Sequence, residues 1–340
     1  MEFGVFYQLP CAVDQTPGAR FQDTIAQCQL ADELGFDAVW LAELHFNPRF
    51  SVMAAPLMIA SAVAQTTKRI RIGTAVNLLP LHHPVRLAEE AATLDVLSNG
   101  RAIFGVGRGS MPSHFQGYGI DQEEGRDRFL EALELVLGSW DQENFTYQGK
   151  YYQTDAVTVT PRPVQQPHPP VYVAANSADT FGIVGSLGHN ILVAPTIVTT
   201  EGALAGLASY RAALAENGHD AAKLKINVNV PMHVAADEKK ARDGFEKTIN
   251  NYLGTLRDIG ASRGPSRGSS RAFSLTAESV MEEFAAVGTP DQVADKLGKV
   301  IELYGPQEIM CWFNIGGMLP HAEVESSMRL FAKDVMPRFQ

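Results

Sequence analysis

The sequence has few cysteines and no long apolar run. Its three cysteines are far apart and odd in number, so we expect reduced, mostly buried thiols instead of a disulfide framework or a cysteine metal site. No apolar stretch approaches the ~20 residues that a membrane helix requires. The N-terminus begins with a strand pattern and shows no basic region followed by a cleavage site. We therefore expect a cytoplasmic protein that does not enter a membrane.

Basic charge is also scarce. The chain has 28 Lys and Arg against 38 Asp and Glu, a net charge of −10, which argues against nucleic acid or an anionic membrane as a partner. No GxGxxG follows the first strand and no GxxxxGK[ST] is present, so neither a dinucleotide fold nor a P-loop is predicted. With 340 residues and 45% hydrophobic content, the chain is long enough for two average domains or for one α/β barrel.

The stretch between residues 73 and 109 reads as strand, loop, helix and strand. Pro84 fits the first position of a helix, and Asn99 with Gly100 closes it with residues that tolerate a left-handed turn. The apolar strand that follows ends at Arg108, which stands between two glycines. In parallel α/β folds ligands bind at the carboxyl ends of the strands, so this unit predicts an α/β enzyme with an anion site near Arg108.

The same alternation of strands and helices continues along the chain. We expect a single domain over residues 1–340 with an insertion at about 141–170, containing a hairpin, and a mobile loop at about 260–275. Because there is no break in composition, one closed (β/α)8 TIM barrel is favoured over an open sheet. Its eight strands are predicted at 3–8, 37–41, 69–76, 102–106, 171–174, 191–193, 226–234 and 308–313.

Several side chains capable of proton chemistry follow the second and third strands. Glu43 and His45 lie just past the second strand, where His45 could move a proton near a reactant while Glu43 orients it. A purely structural pair in a turn is the alternative. His82 and His83 precede a proline and are equally compatible with a plain loop. A zinc site built from these four residues lacks the usual ligand spacing, so no metal is expected.

Two further segments could bind an anion. The guanidinium of Arg108 suits a phosphate because the flanking glycines let a ligand approach the backbone. Asn176, Ser177 and Thr180 open the helix after the fifth strand, where free backbone N–H groups and hydroxyls also favour an anion. The alternative is a simple helix cap. Asp179 would repel a phosphate and is expected to face outward.

Taken together, these landmarks resemble the bacterial luciferase-like flavin-dependent monooxygenases over nearly the whole chain. The resemblance implies a TIM barrel that binds reduced FMN supplied by a separate NAD(P)H:flavin reductase. It further implies that O₂ is activated as a flavin C4a-peroxide and that one oxygen atom enters a small, apolar organic substrate. The residues that carry it lie at 36–46, 73–75, 79–80, 83–86, 94–95, 100–101, 104–105, 108–109, 173–174, 176–177, 287–290 and 334–337.

The resemblance also assigns a flavin site and implies that the mobile loop at about 260–275 is a lid that closes over it. Arg108 would hold the flavin phosphate together with Ser177 and Thr180. Asn176 stands where the catalytic luciferase subunit has a glutamate, so the contact there would differ. The pair 75–76, Ala75 followed by Val76, resembles the position of the family's non-prolyl cis peptide beneath the flavin ring.

The main departure from the family pattern is Leu44. Light-emitting catalytic subunits read Glu-His-His-Phe here, so efficient luminescence is not expected and the pocket should be more apolar. The non-catalytic luciferase subunit also lacks this histidine, but it lacks the phosphate arginine that this chain keeps as Arg108. An F420-dependent oxidoreductase of the same fold and a non-catalytic flavin-binding protein remain alternatives. The small, apolar helix at 54–67 predicts a homodimer, as in the family.

Overall fold

A computed structural model of the chain describes residues 1–261 and 275–340. The strands, numbered along the chain, are β1 (Glu2–Tyr7), β2 (Ala38–Leu41), β3 (Arg71–Thr74), β4 (Asn77–Leu78), β5 (Ala102–Gly107), β6 (Phe145–Gln148), β7 (Gln153–Val157), β8 (Val171–Ala174), β9 (Asn190–Val193), β10 (Ile226–Val234), β11 (Ala286–Gly288) and β12 (Glu308–Trp312). Eight parallel strands close into a barrel, because β10 pairs with both β9 and β12 while the remaining strands follow in the order β12-β1-β2-β3-β5-β8-β9. This confirms the predicted (β/α)8 TIM barrel.

Helices surround the barrel. None of those in the described part of the chain is long and apolar enough to cross a membrane. They are α1 (Pro17–Leu34), α2 (Pro56–Thr66), α3 (Pro84–Leu97), α4 (Pro112–Gly117), α5 (Gly125–Asp141), α6 (Ala178–Leu187), α7 (Thr200–Glu216), α8 (Glu238–Ala261), α9 (Ala277–Glu283), α10 (Pro290–Tyr304) and α11 (His321–Leu330).

The interior of the barrel is filled by Trp40 of β2. Its ring makes an edge contact with Tyr172 of β8, with 5.1 Å between the ring centroids. A β-carbon on Gly4 or Gly73 would lie 2.5 or 2.6 Å from the indole, so the two neighbouring strands can accommodate this ring only with glycine at these positions. The barrel is therefore a packed core, and ligands must bind at its ends.

Helix α2 is shorter than the sequence predicted. It begins at Pro56 and ends at Thr66, whereas the apolar pattern indicated 54–67. The residue before a proline is disfavoured in the helical region, and Ala55 has φ −133° and ψ 75°. Pro56 therefore sets the start of the helix, and Ala54 and Ala55 belong to the preceding loop.

The excursion between α5 and β8 contains the predicted hairpin, in which β6 and β7 pair antiparallel. The connector that follows it is anchored by Asp95 of α3, whose carboxylate accepts hydrogen bonds from the amides of Val164 and Gln165 at 2.8 and 2.9 Å. Short β11, which pairs in parallel with the end of β10, and α4 were not predicted, since so few residues give little periodicity. The lid predicted at about 260–275 falls largely on residues 262–274, outside the described residues.

Candidate active site

Glu43 lies directly beyond β2, at the carboxyl end of the barrel, and its side chain is buried with 2% exposure. Its Oε1 accepts a hydrogen bond from Nε2 of His45 and another from Nε2 of His82, both at 2.8 Å. Its Oε2 accepts one from the amide of Leu78 in β4 at 2.9 Å. Three elements of the fold thus meet on a single carboxylate, which satisfies a group that would otherwise be costly to bury.

The charge of Glu43 follows from these contacts. Burial raises the pKa of Glu43, but the hydrogen bonds from His45 and His82, the charge of His82 and the Leu78 amide together lower that pKa to about 2. Burial lowers the pKa of His82, and Glu43 raises it by more, so the net shift is upward. Glu43 is consequently ionised at neutral pH and accepts hydrogen bonds only, which places a proton on Nε2 of His45.

His45 is almost fully enclosed, with 5% exposure. Its Nδ1 lies 3.3 Å from the hydroxyl of Tyr118, and the two rings meet edge to face with centroids 5.1 Å apart. Its backbone amide donates to Nε2 of His114 at 3.2 Å, and the two imidazoles also make an edge contact. Both ring nitrogens of His45 are therefore engaged by protein groups.

The structure separates the two adjacent histidines. His82 reaches Glu43, whereas His83 is exposed and its ring lies 6.4 Å from that of Tyr152, on the side of the hairpin. Within residues 1–261 and 275–340, no group of three or more His, Cys, Asp or Glu side chains is arranged to hold a metal ion. His82 thus belongs to the Glu43 cluster, and His83 does not.

The floor of the site is formed where β3 and β5 end. Thr74 Oγ1 donates to the carbonyl of Gly105 at 2.7 Å and accepts from its amide at 3.1 Å, which fixes the end of β3 against β5. The next peptide bond, Ala75–Val76, is cis, at the position where the family resemblance implied one. A β-carbon on Gly107 would lie 2.5 Å from Cγ2 of Val76, so this glycine lets the two strand ends approach.

Arg108 follows β5 and is exposed at the carboxyl end of the barrel. Its Cγ lies 3.6 Å from the point where a β-carbon on Gly125, the first residue of α5, would stand. The next residue of α5, Arg126, pairs with Asp179 at the start of α6 at 3.3 Å. Because β5 and β8 are parallel neighbours, Arg108 lies on the same edge as the beginning of α6, and a second guanidinium joins it there.

Helix α6 begins at Ala178, later than the predicted start at Asn176. Ser177 has φ −138° and ψ 147°, so the chain is still extended there, and Asn176 is an exposed loop residue before the cap. In this described segment no side chain caps the first turn of α6. The hydroxyl of Ser177 instead pairs with that of Thr180 at 2.7 Å. The first turn thus presents hydroxyls and backbone N–H groups suited to an anion. Asp179 is exposed, but its carboxylate pairs with Arg126 at this same edge instead of facing away from it.

An apolar wall lies next to Glu43. Leu44 packs, together with Phe6 and Met111, against a buried cluster that includes Tyr252 and Trp312. The rings of Phe6 and Trp312 meet edge to face at 5.0 Å, and those of Tyr252 and Trp312 at 5.2 Å. The site therefore combines a charged edge, a polar histidine–glutamate cluster and an aromatic face.

The sequence profile of the luciferase-like monooxygenase family matches residues 1–306. The chain belongs to this family. It is 27% identical to the oxygenase component of a flavin-dependent trigonelline monooxygenase from Acinetobacter baylyi, over 100% of this chain and 96% of that protein. Membership of this family confirms the flavin-dependent monooxygenase predicted from the sequence.

Solved structures agree with the fold. The crystal structure of a monooxygenase from Streptomyces bottropensis matches with a TM-score of 0.90 and 28% identity, covering 100% of both chains. The oxygenating constituent of a type II Baeyer–Villiger monooxygenase from Pseudomonas putida, in complex with FMN, matches at 0.85 and 21%, covering 100% of this chain and 99% of that one. An F420-dependent secondary alcohol dehydrogenase shares the fold at 0.79 and 18%, with the same coverage.

The sequence analysis did not single out three residues that the fold brings to this luciferase-like site. Tyr118 and His114 both contact His45, and Arg126 joins the start of α6. Tyr118 and His114 follow β5 closely, which places them at the face where loops of this fold carry function, and that position was the available signal. For Arg126 the available signal was its position at the start of α5.

Proposed function

We propose that the chain is the oxygenase component of a two-component system. It would bind reduced FMN released by a separate NAD(P)H:flavin reductase and insert one atom of O₂ into a small, apolar organic molecule. The observation that carries this proposal is that Arg108 and the uncapped start of α6 follow two neighbouring parallel strands, at the barrel end where the Ala75–Val76 peptide also lies. The naming of the Acinetobacter baylyi relative as an oxygenase component supports the separate reductase.

The donor set at this edge fits a flavin phosphate. A phosphate group carries up to two negative charges and accepts several hydrogen bonds, and here Arg108, Arg126 and the first turn of α6 supply cationic and N–H donors. Ser177 and Thr180 add two hydroxyls, and Asn176 can add an amide from the preceding loop. Arg126 is already paired with Asp179, so we assign the larger share of phosphate binding to Arg108.

The remaining residues of the site have separate roles in this proposal. Ala75 and Val76 would support the flavin ring, and Leu44 would line an apolar substrate pocket. Reduced FMN, when bound, supplies the two electrons with which O₂ is activated. His45, held in one tautomer by ionised Glu43, would provide the proton chemistry.

The decisive experiment supplies the cofactor in three ways. Purified protein should consume no NAD(P)H alone, and should oxygenate an apolar substrate only when a flavin reductase or photoreduced FMN is added. Direct, flavin-dependent NAD(P)H oxidation by the chain alone would refute the two-component proposal. Oxygen-independent hydride transfer with reduced F420 would favour the oxidoreductase alternative, and flavin binding without any oxygen-dependent product would favour a non-catalytic protein.

A further inference from the structure

His45 cannot reach a ligand directly in this arrangement. Its side chain is 4% exposed, its Nε2 is bonded to Glu43 and its Nδ1 faces Tyr118. An imidazole has only these two nitrogens through which a proton can pass. A proton that leaves Nδ1 of His45 for the open side of the site must therefore pass through the Tyr118 hydroxyl, or Tyr118 must first move away.

Tyr118 has the properties of the outer member of such a pair. It follows α4 and is 46% exposed, in contrast to His45. Burial and the charge of Glu43 raise the pKa of Tyr118, so its hydroxyl stays protonated at neutral pH. Its ring also contacts Phe46, with the centroids 5.5 Å apart, which holds it over His45. The titratable groups that face His45 are Glu43, His114 and Tyr118, with His82 on the far side of Glu43.

We propose that Tyr118 is the residue that transfers the His45 proton to the reacting ligand. The inference rests on the proposed function, since it requires a reactant at this face. When an oxygen atom of the ligand gains negative charge, the Tyr118 O–H bond breaks and its proton forms a new O–H bond on that oxygen. The Nδ1–H of protonated His45 then passes its proton to the phenolate. Tyr118 is regenerated, neutral His45 remains beside Glu43, and solvent restores the single proton consumed.

The state of His45 also decides which way the Tyr118 hydroxyl is used. With neutral His45, Nδ1 is an acceptor and the hydroxyl donates to it. With protonated His45, Nδ1–H donates to the phenol oxygen, and the Tyr118 proton is free to point at the ligand. Proton transfer should therefore follow the protonation of His45, but only in a protein that carries the Tyr118 hydroxyl.

The test compares Tyr118→Phe with Tyr151→Phe. The first removes only the hydroxyl and keeps the ring that packs on His45. The second is a matched control on the hairpin, where the hydroxyl accepts a hydrogen bond from Lys150 at 2.7 Å. Nitrogen-15 NMR of labelled histidine in the flavin-free protein should show the Nδ1 resonance of His45 shifted in Tyr118→Phe and unchanged in Tyr151→Phe. An unchanged resonance in Tyr118→Phe would overturn the proposal.

The second readout is the pH dependence of the rate at which an apolar substrate is oxygenated with photoreduced FMN. In the unaltered protein this rate should rise as the pH falls, because the proposed step uses a protonated His45. In Tyr118→Phe this pH dependence should disappear and the rate should fall by about 10²-fold, within the usual range for one positioned acid, while FMN binds normally. A rate that still rises as the pH falls in Tyr118→Phe would overturn proton transfer through Tyr118. If the unaltered protein forms no oxygenated product, the proposed function fails instead, and the NMR comparison still tests the Tyr118–His45 contact.

Discussion

Replacing Arg108 by alanine tests the phosphate site most directly. The side chain is exposed at the end of β5 and its stem lies beside Gly125, so its removal leaves the barrel core untouched. A hydrogen bond to a charged group contributes roughly 1.5–3 kcal/mol, which corresponds to about ten- to a hundredfold in affinity. Because Arg108 is exposed and its charge is screened, we expect the lower half of that range for Arg108→Ala.

The assay is anaerobic calorimetric titration with photoreduced FMN and with reduced riboflavin. Only FMN carries the phosphate, so Arg108→Ala should weaken FMN binding by about ten- to thirtyfold and riboflavin binding by no more than about twofold. Arg108→Lys should recover part of the loss, since it restores the charge without the bidentate guanidinium. Arg86→Ala is the matched control, because Arg86 is an exposed arginine of α3 that pairs with Glu90 at 2.7 Å.

The result that would refute the reasoning is an equal loss of affinity for FMN and riboflavin. Such a result would mean that Arg108 supports the ring or the fold, and that the phosphate binds elsewhere. A large effect of Arg86→Ala would instead indicate a general dependence on net charge. High salt should reduce the difference in FMN affinity between the unaltered protein and Arg108→Ala, because it screens the exposed ion pair between Arg108 and the phosphate.

Three further predictions concern other parts of the molecule. Gly107→Val should weaken FMN and riboflavin binding alike, because its side chain would displace Val76; loss of FMN binding alone, in titration, would contradict this. Met58→Glu on α2, where Met58 is 74% exposed, should turn a homodimer into monomers in analytical ultracentrifugation; an unchanged mass would refute an interface there. Burial lowers the pKa of His233 to about 4, so between about pH 6.5 and 4 the imidazole is protonated in the unfolded chain but neutral in the folded protein. The free energy of unfolding should therefore fall by about 3 kcal/mol over that range, and His233→Gln should remove this loss. Urea unfolding at pH 7 and pH 4 measures it, and the same loss in the unaltered protein and in His233→Gln would refute the prediction.

The sequence by itself determined the barrel and the end of it at which Arg108, Glu43 and His45 lie. All eight barrel strands lie where short apolar segments alternate with helical ones, because strand and helix periodicity are local properties of the chain. The positions of Arg108, between two glycines, and of Glu43, two residues before His45, could be predicted for the same reason. Both follow a predicted strand, and in a parallel barrel every strand delivers its next residues to one face.

Only the tertiary structure decided which of these side chains meet. His82 and His83 are adjacent and equally plausible in sequence, yet only His82 reaches Glu43, 39 residues away. Tyr118 is 73 residues from His45, and Arg126 is 53 residues from Asp179.

The start of α6 was misplaced for a related reason. Several of residues 176–180 could occupy the N-cap position, and the extended backbone angles of Ser177 place that position there. Sequence periodicity reports how each segment is built. The contacts that make a proton pathway depend on strand register and barrel closure, which bring distant loops together and are not encoded in any one segment.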